Sequence, residues 1–243
     1  VFVSSGTTNQ LTSSHYIADV GLYEESFLEA FNYFYGSPEQ YILLALLPSY
    51  LERGNSSLIY MVEKLIKKTG HPASGFYLWH NEQLLNILQN HDRKVILLGV
   101  TFALLDLAAQ ASLRQPDLII IVSGGMKGRR KELVREEVHR ILCKAFHVNV
   151  IHSEYGMTEL LSQAYSKGNG LFYTPPWMKV LVRDVNDPLS LTGHDKTGGL
   201  NIIDLANVHS CSFIATQDLG KSHSDGSFEV LGRFDSSDIR GCN

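Results

Sequence analysis

The residues best suited to chemistry stand together at His152-Ser153-Glu154-Tyr155-Gly156-Met157-Thr158-Glu159. Tyr155 offers a ring face, Thr158 a hydroxyl and Glu159 a carboxylate, a set that suits a nucleotide carrying a metal ion. The β-branched run Val148-Asn149-Val150-Ile151 before them reads as a buried strand. Leu160-Leu161-Ser162-Gln163-Ala164 after them reads as the start of a helix. A strand that turns at a glycine into a helix carries its polar groups to the carboxyl edge of a sheet, where open α/β folds bind ligands. The same residues also suit an ordinary helix start, with Thr158 and Glu159 favouring the first turn.

Four other segments have comparable chemistry. Ser4-Ser5-Gly6-Thr7-Thr8 presents hydroxyls and backbone N–H groups to an anion, and its glycine permits close approach. It lacks the lysine of a Walker loop, so a metal or an arginine elsewhere must neutralise the charge. Ser123-Gly124-Gly125-Met126-Lys127 ends a very apolar strand, and its two glycines let a flat ligand lie against the main chain. Thr216-Gln217-Asp218-Leu219-Gly220 places at a strand end an aspartate able to accept two hydrogen bonds from a ribose diol. Gly232-Arg233-Phe234-Asp235 offers an arginine to ribose or phosphate. Each has a plainer reading as well: a polar turn, a tight strand-to-helix corner, a solvated β-turn and a surface charge.

The elements that must position these residues alternate. A short strand at Val1–Val3 precedes the hydroxyl loop, and an amphipathic helix spans Asp19 to Tyr35. Strand–helix units then follow: Tyr41–Leu47 with Ser57–Thr69, Phe76–Trp79 with Asn81–Asn90, Lys94–Leu98 with Thr101–Leu113, and Asp117–Val122 with Arg130–Phe146. This alternation predicts an α/β fold, a mostly parallel sheet with helices on both faces. After about residue 170 the texture changes to short strands separated by Gly, Asp, Pro and Asn turns: Phe172-Tyr173, Met178–Val185, Gly199–Asp204, Ser212–Thr216 and Phe228–Leu231. The expected organisation is an α/β region over 1–168 followed by a β-rich C-terminal subdomain over 169–243. No internal repeat or low-complexity segment is visible.

Composition sets the bounds. With 243 residues, 44% hydrophobic and 19% charged, the chain can bury a substantial core. A net charge of −4 argues against a broad nucleic-acid footprint. No apolar run is long enough to span a bilayer, and no secretory signal is visible. Cys143, Cys211 and Cys242 are odd in number and widely spaced, which argues against a disulfide framework and fits a reducing cytoplasm. Because Val1 opens directly into a strand and a candidate loop, a preceding segment of the native protein is expected to be missing.

Taken in order, the five segments resemble the motifs of the adenylate-forming superfamily of acyl- and aryl-CoA ligases, luciferases and peptide-synthetase adenylation domains. The resemblance runs from Ser4 to Gly241, and Tyr155-Gly156-Met157-Thr158-Glu159 is its most specific part. It implies ATP and Mg²⁺ as cofactors and the large-domain fold of that superfamily. By resemblance, Ser4, Ser5, Gly6, Thr7 and Thr8 hold the ATP phosphates. Gly124, Gly125 and Met126 wall the adenine, on which Tyr155 stacks beside Gly156. Thr158 touches the α-phosphate and Glu159 holds the metal, while Asp218 binds the ribose and Arg233 lies close to sugar and phosphate. Leu98-Gly99-Val100-Thr101-Phe102 is similar to the corner that lines the acyl pocket, giving Gly99, Val100 and Phe102 as candidates, with Phe76 and Trp79 as further aromatic lining.

The chain also departs from the pattern. Leu11-Thr12-Ser13-Ser14-His15 stands where the phosphate loop normally has a Pro-Lys-type ending, and Thr216-Gln217-Asp218 where Thr-Gly-Asp is usual. The mobile C-terminal domain with its catalytic lysine has no counterpart in this sequence. That pattern resembles the long-chain acyl-protein synthetases of bacterial bioluminescence, which carry an acyl-accepting cysteine close to the C-terminus; Cys242 matches it. The resemblance then implies a fatty acid substrate, acyl transfer to Cys242, and a partner acyl reductase, transferase or acyl carrier. Two alternatives are a ligase like phenylacetate-CoA ligase shorn of its C-terminal domain, and a non-catalytic member that only binds nucleotide or acyl partners.

Overall fold

The computed structural model describes residues 1–4, 13–48, 55–110, 113–124 and 133–234. Two short strands, β1 (Phe2–Val3) and β2 (Ser14–His15), form a separate antiparallel pair. The α/β portion follows as α1 (Val20–Tyr35), β3 (Tyr41–Leu46), α2 (Ser57–Thr69), β4 (Gly75–Phe76), α3 (Asn81–Gln89), β5 (Lys94–Gly99), α4 (Thr101–Ala108), β6 (Ile119–Ser123), α5 (Arg135–Phe146) and β7 (His152–Tyr155). Six more strands complete the described chain: β8 (Ala164–Ser166), β9 (Leu171–Tyr173), β10 (Met178–Arg183), β11 (Gly198–Asp204), β12 (Phe213–Ser222) and β13 (Phe228–Arg233). Eleven of the strands lie in one sheet in the order β10-β11-β12-β13-β9-β8-β7-β6-β5-β3-β4. Pairing is parallel from β4 to β7 and antiparallel from β7 to β10. The α/β fold with a β-rich continuation is therefore as expected.

Local chemistry explains the helix limits. Asp19 caps α1 by accepting from Gly21 N at 2.8 Å, and Gly36, at φ 85°, closes it. Ser56 caps α2, and Gly70 ends it in the left-handed conformation after Lys67 and Lys68 in the last turn. All six residues of β3 are buried, so side chains on both faces of that strand are covered. Burying each of its leucines contributes roughly 1.5–3 kcal/mol. Helix α1 packs on α2, and α4 packs on α5. Among the described residues no helix is long and apolar enough to cross a membrane.

Several boundaries differ from the sequence expectation. Residues 148–151 are not a strand: His147 ends α5 in the left-handed conformation (φ 53°), and Val148 and Ile151 are buried while the chain turns toward β7. The strand is the polar His152–Tyr155 segment, which pairs with β6 on one side and β8 on the other. Helix α4 stops at Ala108, and Leu113 N donates instead to Ala145 O at the end of α5. In the 76–79 segment only Phe76 belongs to a strand, and Trp79 is largely exposed. The helix expected from Arg130 begins at Arg135, residues 130–132 being outside the described residues.

The largest correction follows the Tyr-Gly-Met-Thr-Glu turn. Leu160–Gln163 is not helical, and Ala164 opens β8, antiparallel to β7. The buried carboxylate of Asp204 holds the segment in this path. It accepts from Leu161 N (2.8 Å), Ser162 N (3.0 Å) and Ser162 Oγ (2.6 Å), anchoring the segment to the end of β11 on its way into β8. Ser26 Oγ and Trp177 Nε1 complete the network around Ser162 Oγ. Asp204→Ala leaves the buried amides of Leu161, Ser162 and Ala206 without this acceptor, so we expect a stability loss of about 3 kcal/mol or more. Urea denaturation checks this, and a loss below about 1 kcal/mol contradicts the assigned role.

Candidate functional site

The separate β1–β2 pair forms the base of the hydroxyl loop. Ser4 N donates to Ser13 O (2.9 Å), and Ser13 N donates to Ser4 Oγ (2.8 Å). Ser13 Oγ in turn donates to Glu159 Oε1 at 2.5 Å, tying the loop base to the turn after β7. Glu159 is also held through its backbone, its carbonyl accepting from Asn207 Nδ2 at 2.7 Å. Thr158 shares that turn and is half-buried. Ser5, Gly6, Thr7 and Thr8 lie outside the described residues, as do Gly125, Met126 and Cys242.

A second cluster forms where β7 meets β12 and β13. Tyr155 donates its phenol to Asp218 Oδ2 at 2.8 Å. Asp218 lies directly across the ladder from Arg233, whose Nε is 3.5 Å from Asp218 Oδ1. Phe172 and Phe228 meet the Tyr155 ring edge-on, with centroids 6.0 and 5.6 Å away, and fix its orientation. Burial, and then the Asp218 carboxylate, push the Tyr155 phenol well above its ordinary pKa, so it remains a donor. Thr216–Asp218 sits inside β12 rather than at a strand end, because the strand continues to Ser222 beyond a bulge at Leu219/Gly220. Thr216 Oγ1 accepts from Asp218 N (3.1 Å), and Arg183 donates to Thr216 O at 2.5 Å.

The end of β6 forms the third part. Gly124 has φ 74° with none of the described residues within 4 Å of where a Cβ would lie, and its carbonyl accepts from Thr101 Oγ1 at 2.7 Å. Open backbone of this kind admits a flat ligand. Of the three acyl-pocket candidates, Phe102 lines an open cleft of about 860 Å³ with Leu46, Leu78, Trp79 and Ala103. Val100 is buried at the corner, and the space over Gly99 is filled by Leu46 and Leu104. Charged and amide groups, Glu82, Gln83, Asp106 and Gln110, share the cleft lining with the apolar residues.

Three residues of this edge were given no role from sequence. Ser13 joins the loop base to Glu159, and its only sequence cue was its place at the altered end of the loop. Glu154 lies across from Ser123, which donates to its Oε2 at 2.6 Å. Gln163 is buried against Gly156. Part of Glu154 remains accessible, but its carboxyl is enclosed by protein, and burial pushes its pKa up to about 7. On the same strand, burial and then Lys167 lower His152 to about 4, and Tyr35 Oη lies 3.2 Å from its Nδ1.

The carboxylate at the loop base suits a metal carried in on a nucleotide. Among the described residues no group of three His, Cys, Asp or Glu side chains could hold an ion. A single carboxylate, Glu159, suits Mg²⁺ that takes its remaining oxygens from phosphates and water. Asp218, clasped on one oxygen by Tyr155 and approached by Arg233 at the other, suits a diol placed beside a phosphate.

Glu154 yields a pH prediction. Its ordinary value is 4.5 and its folded value about 7. As pH rises above 4.5 the unfolded chain releases this proton while the folded chain keeps it, so stability falls across that window and levels off above about 7. The full effect is at most on the order of 3 kcal/mol. Glu154→Gln is expected to remove this slope and to be relatively more stable at about pH 8 than at about pH 5. Urea midpoints of both proteins across that range check it, and parallel curves contradict it.

No protein-family model matches the chain, and no curated protein matches its sequence. Solved structures do match. ATP-bound MatB from Rhodopseudomonas palustris superposes with a TM-score of 0.69 at 18% identity, covering 96% of this chain and 47% of that one. The O-succinylbenzoate coenzyme A synthetase MenE from Bacillus subtilis, in complex with ATP and magnesium ion, gives 0.63 at 16% identity, covering 96% and 49%. A benzoate CoA ligase from Burkholderia xenovorans LB400 gives 0.57 at 16% identity, covering 88% and 45%. The chain thus spans about half the length of these structures. At such identities the likeness shows the fold, which is that of adenylate-forming acyl- and aryl-CoA ligases.

Proposed function

We propose that this chain carries the adenylation site of an ATP-dependent acyl-activating ligase. The observation that carries the reading is the Tyr155–Asp218–Arg233 cluster, a fixed phenol, carboxylate and guanidinium from three strands. It stands on the sheet edge that also holds Gly124 and the Ser13–Glu159 link. The shared fold supports the same reading.

In the proposed reaction an oxygen of the carboxylic acid attacks the α-phosphorus of ATP. An acyl–phosphate bond forms, the α–β phosphoanhydride bond breaks, and pyrophosphate leaves. A thiolate then attacks the acyl carbon and AMP leaves. The protein's part is positioning and charge stabilisation. Ser4 and the loop it opens face the phosphates, Gly124 and Tyr155 flank the base, Asp218 takes the ribose hydroxyls, and Thr158 and Arg233 contact the α-phosphate side. Mg²⁺, when bound at Glu159, supplies neutralising charge to the phosphates.

Two acceptors fit the second step. In the acyl-protein synthetase reading the thiol is Cys242, and the acyl group is then collected by a reductase, transferase or carrier. In the second reading the thiol is coenzyme A, which the fold-sharing CoA ligases favour.

Acid-dependent ATP–pyrophosphate exchange tests the reading. Glu159→Gln is expected to lower Mg²⁺-dependent exchange at least about 100-fold with an unchanged melting curve. Asp218→Ala is expected to raise the KM for ATP about 10- to 100-fold. Full exchange in both variants, or none in the parent with any acid, contradicts the assignment. Radiolabelled acid retained on the protein without coenzyme A, and lost in Cys242→Ala, separates the two acceptors.

A further inference from the structure

The hydroxyl of Tyr155 makes a contact that a base-stacking ring does not need. It donates to Asp218 Oδ2 at 2.8 Å, although three strands, β8, β9 and β13, lie between β7 and β12 in the sheet order. The sheet must curl to bring the two residues together, and the phenol spans that curl. Phe172 and Phe228, on two of the intervening strands, meet the ring edge-on at 6.0 and 5.6 Å. The ring also packs against buried apolar clusters that include Leu160, Met178 and Leu200. A side chain held at so many points loses little further entropy when its hydroxyl is put to use. Asp218 is held as closely. Its side chain is 15% exposed, its N donates to Thr216 Oγ1 (3.1 Å), and that hydroxyl donates onward to Leu200 O (2.9 Å).

We propose that Tyr155 is a positioning residue for the nucleotide sugar: its hydroxyl orients the Asp218 carboxylate and so sets the preference for ribose over deoxyribose. This rests on the adenylation reading and gives the hydroxyl a task separate from the ring's contact with the base. An ionised carboxylate offers about four acceptor sites. Tyr155 takes one on Oδ2 and Arg233 approaches Oδ1, which leaves sites on both oxygens for a pair of sugar hydroxyls. Of the two partners the phenol is the firmer. The Arg233 side chain is 58% exposed, its Nε stands 3.5 Å away, and its Nη2 donates to Gln217 Oε1 at 3.2 Å. Water screens an exposed pair of this kind. Without the phenol the carboxylate is free to turn toward Arg233, and a sugar diol must draw it back before both of its hydroxyls are served. A deoxy sugar makes one such bond fewer and loses less from the same change.

The test is calorimetric binding of the Mg²⁺ complexes of ATP, 2′-deoxyATP and 3′-deoxyATP by the full chain. The parent is expected to bind ATP about 10- to 100-fold more tightly than at least one of the deoxy nucleotides. Tyr155→Phe keeps the ring. It is expected to weaken ATP about 5- to 20-fold and that deoxy nucleotide less than about 3-fold, so that the ratio falls. A residue serving only the fold, or only the base, would weaken all three nucleotides alike, and an unchanged ratio in a variant with a normal melting curve overturns the inference. Asp218→Ala supplies a second arm, because no carboxylate then remains to be oriented. Tyr155→Phe added to it is expected to change each affinity by less than about 2-fold. A larger further loss overturns the inference even where Tyr155→Phe alone does not fold. A parent that binds all three nucleotides equally also overturns it and leaves the adenylation reading standing, whereas a parent that binds none of them overturns both.

Discussion

The arrangement depends on one buried carboxylate. Asp204 is fully buried at the end of β11, and it accepts from two backbone amides and a hydroxyl of Leu161 and Ser162, 42 residues earlier for Ser162. A charge in such a place is tolerable only because its oxygens are saturated with donors. The consequence is topological. Asp204 anchors the segment after Glu159 to the end of β11, and the chain returns as β8 beside β7. The sheet changes there from parallel to antiparallel pairing, and the strands that follow can lie against the end of β7. Without that return, Tyr155 would have no route to Asp218 on β12 or Arg233 on β13.

A second constraint sharpens the edge so formed. Tyr155 and Glu154 are adjacent on a strand and therefore face opposite ways. One delivers a phenol, held edge-on by Phe172 and Phe228, to the carboxylate of Asp218. The other points a carboxyl at Ser123 and over Gly156. A Cβ at Gly156 would come within 2.5 Å of Glu154 Oε1, so a side chain there would make the end of Glu154 shift. The turn that follows places Thr158 and Glu159 beside the base of the hydroxyl loop through Ser13. Two faces of a four-residue strand thus carry two different groups, a phenol bound to Asp218 and a carboxyl bound to Ser123.

Much of this was legible in the residues, and the failures have a common cause. Helix α2 was readable end to end because Ser56 and Gly70 cap it locally. The pairing of apolar strands with helices was readable from periodicity alone. Leu160–Ala164 was not, because its apolar spacing suits a helix and its true partner, Asp204, is remote in sequence. Val148–Ile151 has the composition of a strand, yet the left-handed turn at His147 delays the strand to the polar His152–Tyr155. The interior position of Asp218 was hidden because Thr-Gln-Asp reads as a turn, although Arg233 pairs with it across the ladder. Glu154 and Gln163 carry no motif, and only the packing over Gly156 reveals them.

The central claim is that a nucleotide lies across the carboxyl edge between β6, β7 and β12. A crystal structure of the chain with a non-hydrolysable ATP analogue and Mg²⁺ tests it most directly. The account predicts ribose hydroxyls in hydrogen-bond contact with Asp218, phosphates toward the Ser4–Ser13 loop base, and the metal on Glu159. A nucleotide bound elsewhere, with Asp218 still engaged only by Tyr155 and Arg233, would contradict it.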